Sequence, residues 1–296
     1  MTSEPGGQAR GTPDGGAGGT AGGMDISLAI EDMATALSGV PGVAAVMLGG
    51  SRARGEQRPD SDWDVGIYYR EPLDVDGLRA LAARLAAGPV DIAPPGGWGP
   101  WVNGGAWLSI DGTQVDWILR DLDRVRRVWA DCGAGRFEIG YQNGHPLGFW
   151  SPCYAGEVAL GRVLADPAGE LSALREEMAS YPEPLRAALI GASGQADWAV
   201  RLAPKPAARG DVLYVSLCLS KAVGVLTQSV YAHGRRWYLN EKGALEVAGR
   251  LPGAPPGFTA RARALLGCPG STAQALTATV AAAGTLVAET RAALAR

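Results

Sequence analysis

Residues 43–55, VAAVMLGGSRARG, and residues 60–65, DSDWDV, carry the most information about this chain. The first segment begins with six small or apolar residues, typical of a buried strand, and then enters a tight Gly-Gly-Ser turn at residues 49–51. The second segment opens another strand, in which side chains two residues apart point to the same face, so Asp62 and Asp64 project together. The sequence therefore predicts two strands, a glycine-rich turn and a pair of carboxylates close to that turn.

These carboxylates point to a metal and a phosphate. Two carboxylates in one small volume repel each other unless a proton or a cation intervenes, and Mg²⁺ prefers a few carboxylates together with substrate phosphates. Asp116 lies between apolar neighbours in a later strand. If that strand neighbours the Asp62/Asp64 strand, Asp116 completes a three-carboxylate cluster able to hold two metal ions. The glycines would let backbone N–H groups approach phosphate oxygens, and Arg54 could add a charge-assisted contact.

The chain divides into an N-terminal α/β part and a C-terminal helical part. Its 296 residues suggest two domains. Hydrophobic periodicity in the first part predicts the following elements in chain order: a helix over 26–37, strands over 43–48 and 62–69, a helix over 78–85, a short strand at 90–92, and a hairpin of strands 106–110 and 113–119. The second part has helical spacing over 121–131, 154–164, 169–179, 184–201, 211–232, 241–249, 258–267 and 271–294.

We accordingly expect three regions. Residues 1–23 are rich in Gly, Ala, Thr and Pro and predict a disordered leader. Residues 24–135 predict the catalytic domain, with a mixed sheet and flanking helices. Residues 136–296 predict an all-α domain that binds the acceptor and the triphosphate.

Composition excludes several classes of protein. The net charge of −3 disfavours a nonspecific nucleic-acid binder, and we find no apolar run long enough to span a membrane and no signal peptide. The four cysteines are widely spaced, without CxxC pairs, so neither a zinc site nor a disulfide framework is indicated. We expect a cytoplasmic protein whose oligomeric state the sequence does not define.

The Gly-Ser turn, the short spacer and the Asp-x-Asp strand resemble the signature of the DNA polymerase beta-type nucleotidyltransferase superfamily. A catalytic α/β domain followed by a helical domain is similar to the aminoglycoside and other antibiotic nucleotidyltransferases. The resemblance implies Asp62, Asp64 and Asp116 as metal ligands and catalytic residues. It also implies triphosphate contacts from Gly50, Ser51 and Arg54.

The same relatives use a glutamate of the helical domain as general base and a late lysine on the triphosphate. The resemblance thus implies Glu157 as the base, with Glu138 as the second candidate. Lys242, in the segment Asn-Glu-Lys-Gly, is the candidate lysine, and Lys221 is the alternative.

Together these features predict a Mg²⁺-dependent enzyme that moves a nucleoside monophosphate, AMP from ATP, to a hydroxyl of an aminoglycoside-like small molecule. Two alternatives remain open: transfer to a protein side chain or an RNA end, and a catalytically silent nucleotide-binding protein. We interpret Trp98, Trp101 and Trp107 as a lid on the core, because Trp beside Gly/Pro turns more often packs than binds a ring. His145 and His233 have no metal-ligand spacing and are expected in a loop or at a helix end.

Overall fold

The computed structural model describes residues 26–86 and 88–296. The leader predicted over residues 1–23 lies outside the described residues. Within them, the seven strands are β1 (Val43–Leu48), β2 (Trp63–Tyr69), β3 (Gly105–Ile110), β4 (Thr113–Asp121), β5 (Ile139–Gly140), β6 (Phe149–Trp150) and β7 (Arg162–Ala165).

Five of these strands form one mixed sheet in the order β3-β4-β2-β1-β7. Strands β2 and β4 are parallel, and the other neighbours are antiparallel. The β3–β4 hairpin turns at Asp111 and Gly112, both with positive φ, which is the backbone that the Asp-Gly pair favours. Strands β5 and β6 form a separate small hairpin.

Helices flank the sheet, and after β7 the elements of the described chain are all helices. Those of the N-terminal part are α1 (Ile26–Ser38), α2 (Gly50–Ala53), α3 (Val75–Leu85) and α4 (Leu122–Gly133). The later ones are α5 (Cys153–Leu160), α6 (Glu170–Met178), α7 (Glu183–Gly191), α8 (Gly194–Leu202), α9 (Pro204–Ala208), α10 (Val212–His233), α11 (Ala244–Ala248), α12 (Phe258–Gly267) and α13 (Ala273–Leu294).

The sheet buries one apolar face against α1 and α3. Alternation along β2 and β4 sends Val65, Ile67, Val115 and Trp117 into this core. The residues between them, including Asp64 and Asp116, therefore point to the opposite face. That face meets α4 and α5, where Met47 and Tyr68 join the larger core of the helical part. The sheet thus sets Asp64 and Asp116 toward the helices.

Helix α10 forms the centre of the helical part, with α7, α8 and α13 packed around it. It is the one helix among the described residues that is long and apolar enough to cross a membrane, and 56% of its apolar window is buried against the rest of the protein. Burial among other helices is what a core helix requires.

The mixed sheet and the mostly helical C-terminal part confirm the predicted fold class, but residues 136–296 are not all-α as predicted, because they include the β5–β6 hairpin and β7. Three predicted elements differ in the structure, and α2, α9 and the β5–β6 hairpin were not predicted. The strand expected at 90–92 is absent from the described residues, where only an isolated bridge joins Ala93 to Gly105. The helix expected over 184–201 is two helices, α7 and α8, because Gly191 and Gly194 weaken the helix between them.

The helix expected over 154–164 ends at Leu160. The chain becomes extended at Gly161, and β7 pairs with the free edge of β1. A short strand that finds backbone partners at a sheet edge is more stable there than as a frayed helix end. The sheet therefore includes four residues that lie beyond the predicted boundary at residue 135.

Candidate active site

Four residues lie in one row across the sheet, each on a neighbouring strand or at its end. The Gly49 N–H, just after β1, donates to the Asp64 carbonyl at 2.8 Å. Asp64 is the register partner of Asp116, and Asp116 is the register partner of Trp107. Directly paired side chains point to the same face, so the two carboxylates stand side by side with the glycine turn on one side and Trp107 on the other.

The turn after β1 fits tightly against Asp64. Gly50 has φ +62°, in the left-handed region that favours glycine, and a Cβ built there would lie 1.8 Å from Asp64 Oδ2. Only glycine allows both the backbone conformation and the contact. The first N–H groups of α2, which have no partner inside the helix, therefore stand beside the carboxylate.

Arg52 positions the loop that carries Asp62. Its guanidinium donates to the Ser61 carbonyl, from Nε at 3.1 Å and from Nη2 at 2.6 Å, and lies 4.4 Å from the Trp63 ring centroid. Asp62 itself is exposed, one residue before β2. Sequence reasoning missed Arg52, although its place within the Gly-Ser-Arg turn was a signal.

The site concentrates negative charge. Burial raises the pKa of Asp64 above its ordinary value, and the charges of Asp62 and Glu157 raise it further. Burial, followed by the charges of Asp64 and Asp62, raises the pKa of Asp116 to about 6. Lys242 opposes both shifts. Carboxylates this close together disfavour each other's ionised form. This arrangement is expected where a bound cation completes the site.

The chemistry of these donors fits Mg²⁺ bound together with a phosphate. Among the residues that the structure describes, no three His, Cys, Asp or Glu side chains form a metal-ligand set by themselves. Asp64 and Asp116 still offer two adjacent carboxylates, and Mg²⁺ is usually held by one or two carboxylates plus substrate phosphates and water. The three-carboxylate, two-metal site, with Asp62 as a member, stays a prediction.

Glu157 reaches the site from α5. Its carboxylate accepts two hydrogen bonds from Arg120, both at 2.7 Å, and its charge acts on Asp64. Arg120 is buried and follows Asp116 by four residues along β4, so both point to the same face. Sequence reasoning missed Arg120, although its alternation with Asp116 was visible. Glu138, the second candidate base, is exposed beside the β5–β6 hairpin.

The two candidate lysines lie in different places. Lys242 is exposed in the turn before α11, and its charge acts on both Asp64 and Asp116. Lys221, on α10, lies 5.9 Å from the Trp150 ring centroid and lines a separate groove between α8 and α10. Of the two lysines, Lys242 is therefore the one whose charge acts on the carboxylates.

The remaining predicted phosphate contacts lie in the turn. Ser51 is half-buried in α2, and Arg54 donates to the Gly50 carbonyl at 2.8 Å and pairs with Glu56. This exposed ion pair contributes little energy, so it does not hold Arg54 away from a phosphate. The Arg54 charge also lowers the pKa of Asp64.

His145 lies close to residues of the candidate site, and its spacing in the sequence does not indicate this. It sits in the loop before β6, as expected for a loop residue, edge-on to Phe149 at 5.0 Å and 3.9 Å from Glu241. Burial lowers its pKa, while the charges of Glu241 and Glu157 act in the opposite direction. Of the three tryptophans interpreted as a lid, Trp101 is buried as expected, whereas Trp107 is exposed.

Residues 30–97 match the family model of a nucleotidyltransferase domain. Residues 30–97 therefore belong to a nucleotidyltransferase domain. The matched residues include the glycine turn and the Asp-x-Asp strand and end before Asp116. Nucleotidyl transfer is thus the general chemistry to which this domain belongs, and the resemblance drawn from the turn and the strand is confirmed.

Other comparisons describe the rest of the chain. Residues 156–242 match a domain of unknown function, DUF4037, and this match begins next to Glu157 and ends at Lys242. A solved nucleotidyltransferase-like protein from Exiguobacterium sibiricum is 12% identical, with a TM-score of 0.47, over 89% of this chain and 74% of its own length. No curated protein matches the chain.

Proposed function

We propose that this nucleotidyltransferase domain serves a Mg²⁺-dependent enzyme that transfers AMP from ATP to a hydroxyl group of a small molecule and releases pyrophosphate. One observation carries the proposal: Asp64 and Asp116 are adjacent on parallel strands, with the Gly-Gly-Ser turn directly beside them. A phosphate-binding turn next to two carboxylates is the arrangement that a metal-assisted phosphoryl reaction needs.

The residues divide into two groups: those that would hold the metal ion and those that would bind the triphosphate. Asp64 and Asp116 would hold Mg²⁺, with Asp62 beside them; when bound, the ion supplies positive charge to the phosphate oxygens in the transition state. The N–H groups after Gly50 would bind the triphosphate. Ser51, Arg54 and Lys242 would neutralise the charge that develops on the departing pyrophosphate.

Glu157 would accept the proton of the attacking hydroxyl. Oε1 accepts hydrogen bonds from Arg120 and from the Cys153 thiol, whereas Oε2 accepts one from Arg120 and keeps a further lone pair. Arg120 would hold this carboxylate in one orientation toward the site. Positioned general bases contribute about 10²- to 10⁴-fold to such reactions.

A small, aminoglycoside-like acceptor is favoured over a nucleic acid. The net charge of −3 and the acidic cluster of the site suit a neutral or cationic molecule and repel a polyanion. We expect the reaction to take place in the cytoplasm.

The test incubates the protein and Mg²⁺ separately with labelled ATP, GTP, CTP and UTP and a panel of hydroxyl acceptors, and measures pyrophosphate release and product mass. We expect acceptor-dependent pyrophosphate and a product heavier by one nucleoside monophosphate, with ATP preferred. Asp64→Asn, which keeps the side-chain shape and loses the charge, should reduce turnover at least about a hundredfold. Nucleotide binding without pyrophosphate release from any acceptor, including RNA and protein, would instead identify a silent nucleotide-binding protein.

A further inference from the structure

Trp107 presents an open aromatic ring in the same row as the two carboxylates. It is the register partner of Asp116, which is in turn the partner of Asp64. Neighbouring strands lie about 4.8 Å apart, so the Trp107 backbone is roughly 10 Å from that of Asp64, with Asp116 between them. The Gly-Gly-Ser turn lies at the other end of this row.

The Trp107 ring is supported on one side and free on the other. It stacks on Trp98 with 4.5 Å between ring centroids and 21° between the ring planes, yet 67% of Trp107 is exposed. The backbone beneath Trp98 is fixed, since its carbonyl accepts a hydrogen bond from Gln142 Nε2 at 2.9 Å. A supported, exposed indole loses little conformational freedom when a flat ligand binds to it.

A groove runs beside this ring, with a volume of about 370 Å³, near the lower end of the range for small-molecule sites. Trp98 and Trp107 line it together with the polar side chains of Asp91 and Ser109. An indole face flanked by a carboxylate and a hydroxyl matches a saccharide ring, whose C–H face is apolar and whose hydroxyl or amino groups form hydrogen bonds.

The direction of the reaction decides which substrate this groove receives. In an in-line displacement the attacking oxygen and the leaving group lie on opposite sides of the phosphorus atom. Pyrophosphate leaves toward the Gly-Gly-Ser turn, so the acceptor hydroxyl approaches from the Asp116 and Trp107 side. There its oxygen forms the bond to the α-phosphorus as the bond to pyrophosphate breaks, and its proton goes to Glu157.

We propose that Trp107, backed by Trp98, is the surface on which a saccharide acceptor stacks, and that this groove is the acceptor subsite. The assignment rests on the proposed function for the direction of attack. The row of register-paired residues and the exposed ring specify where the acceptor binds. Trp107 is then a specificity-determining residue that contacts the acceptor and does not contact the nucleotide.

The experiment measures two kinds of binding in the full chain. Glucose, glucosamine, trehalose and sucrose are titrated without nucleotide and followed by saturation-transfer NMR, and ATP·Mg²⁺ binding is measured separately. Trp107→Ala removes the ring and Trp107→Phe keeps a smaller one. Trp198→Ala is the matched control, because Trp198 is also exposed, at 62%, but lies on α8 in a different groove.

We expect Trp107→Ala to weaken saccharide binding about tenfold, Trp107→Phe to restore part of it, and Trp198→Ala to change nothing. ATP·Mg²⁺ affinity should remain at the wild-type value in all three variants. The assignment is overturned if none of the four saccharides binds, if the loss falls on ATP instead, or if Trp107→Ala binds them normally. Trp107-dependent binding without any nucleotidyl transfer would leave the subsite standing and reject the proposed function.

Discussion

Gly50 is in contact with the carboxylate of Asp64, and this contact ties the Gly-Gly-Ser turn to strand β2. We expect Gly50→Ala to lower turnover at least about a hundredfold, because a methyl group displaces the Asp64 carboxylate and strains the backbone. Steady-state kinetics with ATP·Mg²⁺ would measure the change.

Gly55→Ala is the control for backbone strain alone. Gly55 also has a positive φ, +69°, but a Cβ there would meet nothing within 4 Å. Its substitution should lower stability by about 1 kcal/mol and leave turnover close to that of the wild type. Equal losses in the two variants would mean that strain, and not the contact with Asp64, determines the result.

We expect Asp116 to lower the stability of the metal-free protein at neutral pH. Its pKa is raised to about 6, so the folded state binds the proton more tightly than the unfolded chain does. This contribution to stability is fully present below about pH 4 and is lost as the pH rises through about 6. Asp64 shifts in the same direction.

We therefore expect Asp116→Asn to raise the Tm of the EDTA-treated protein at pH 7.5, by about 2 °C, because the amide carries no charge. Thermal melts from pH 4 to pH 8 would measure it, and the gain over the wild type should fall toward zero at the acidic end. Turnover should be lost at the same time. A lower Tm at pH 7.5 without metal would show that Asp116 is compensated in the folded state.

At the scale of single elements, β4 and α5 are joined by an ion pair between the buried Arg120 and the half-buried Glu157. Arg120 on β4 is 3% exposed and both of its hydrogen bonds to Glu157 are short. Removing one partner of a buried pair leaves the other charge uncompensated, which typically lowers stability by about 3 kcal/mol. Glu157→Gln should therefore lower the Tm, opposite in sign to Asp116→Asn.

The same substitution should lower turnover by about 10²-fold or more and retain ATP·Mg²⁺ affinity, since a glutamine cannot accept the hydroxyl proton. Arg120→Lys separates the two roles, because it keeps the positive charge and loses the paired hydrogen bonds. It should lower stability with a smaller effect on turnover. Normal turnover in Glu157→Gln would show that another group is the general base.

Local signals in the sequence predict most of the elements, and pairings between distant segments account for the differences. The alternation of Val115, Asp116 and Trp117 correctly places Asp116 on the same face as Asp64, and Asp111-Gly112 predicts the hairpin turn. Nothing in the helical spacing before Gly161 indicates that the next four residues join a sheet. That outcome depends on the free edge of β1, which only the folded sheet provides.

A local motif specifies only the part of the candidate site whose residues are close in sequence. The turn and the Asp-x-Asp strand lie within sixteen residues of each other and form one recognisable motif. Lys242 and His145 reach the site through loops of the helical part, and no periodicity specifies where a loop ends in space. Trp107 was interpreted as a lid because its neighbours are glycine and proline turns, yet its strand position exposes it.

At the scale of the whole molecule, the sheet depends on the segment that follows the predicted boundary. A fragment of residues 24–135 would lose β7, exposing the edge of β1, and would uncover Met47 and Tyr68. We expect this fragment to aggregate without a cooperative melt, because an uncovered strand edge beside apolar surface pairs with other chains. Size-exclusion chromatography and circular dichroism would measure it, with the full chain as reference. A monomeric, cooperatively melting fragment would show that β7 is dispensable.

The position of β7 also limits which segments of this chain can be replaced by those of a relative. A chimera made to give this catalytic sheet a new acceptor specificity would conventionally be joined where the first helical run begins. Here the junction has to follow Ala165, so that β7 is inherited together with β1. Glu157 then necessarily travels with the sheet, and only the helices that come after it can be replaced. Recombination between relatives would thus vary the outer helices while preserving Glu157, the proposed proton acceptor.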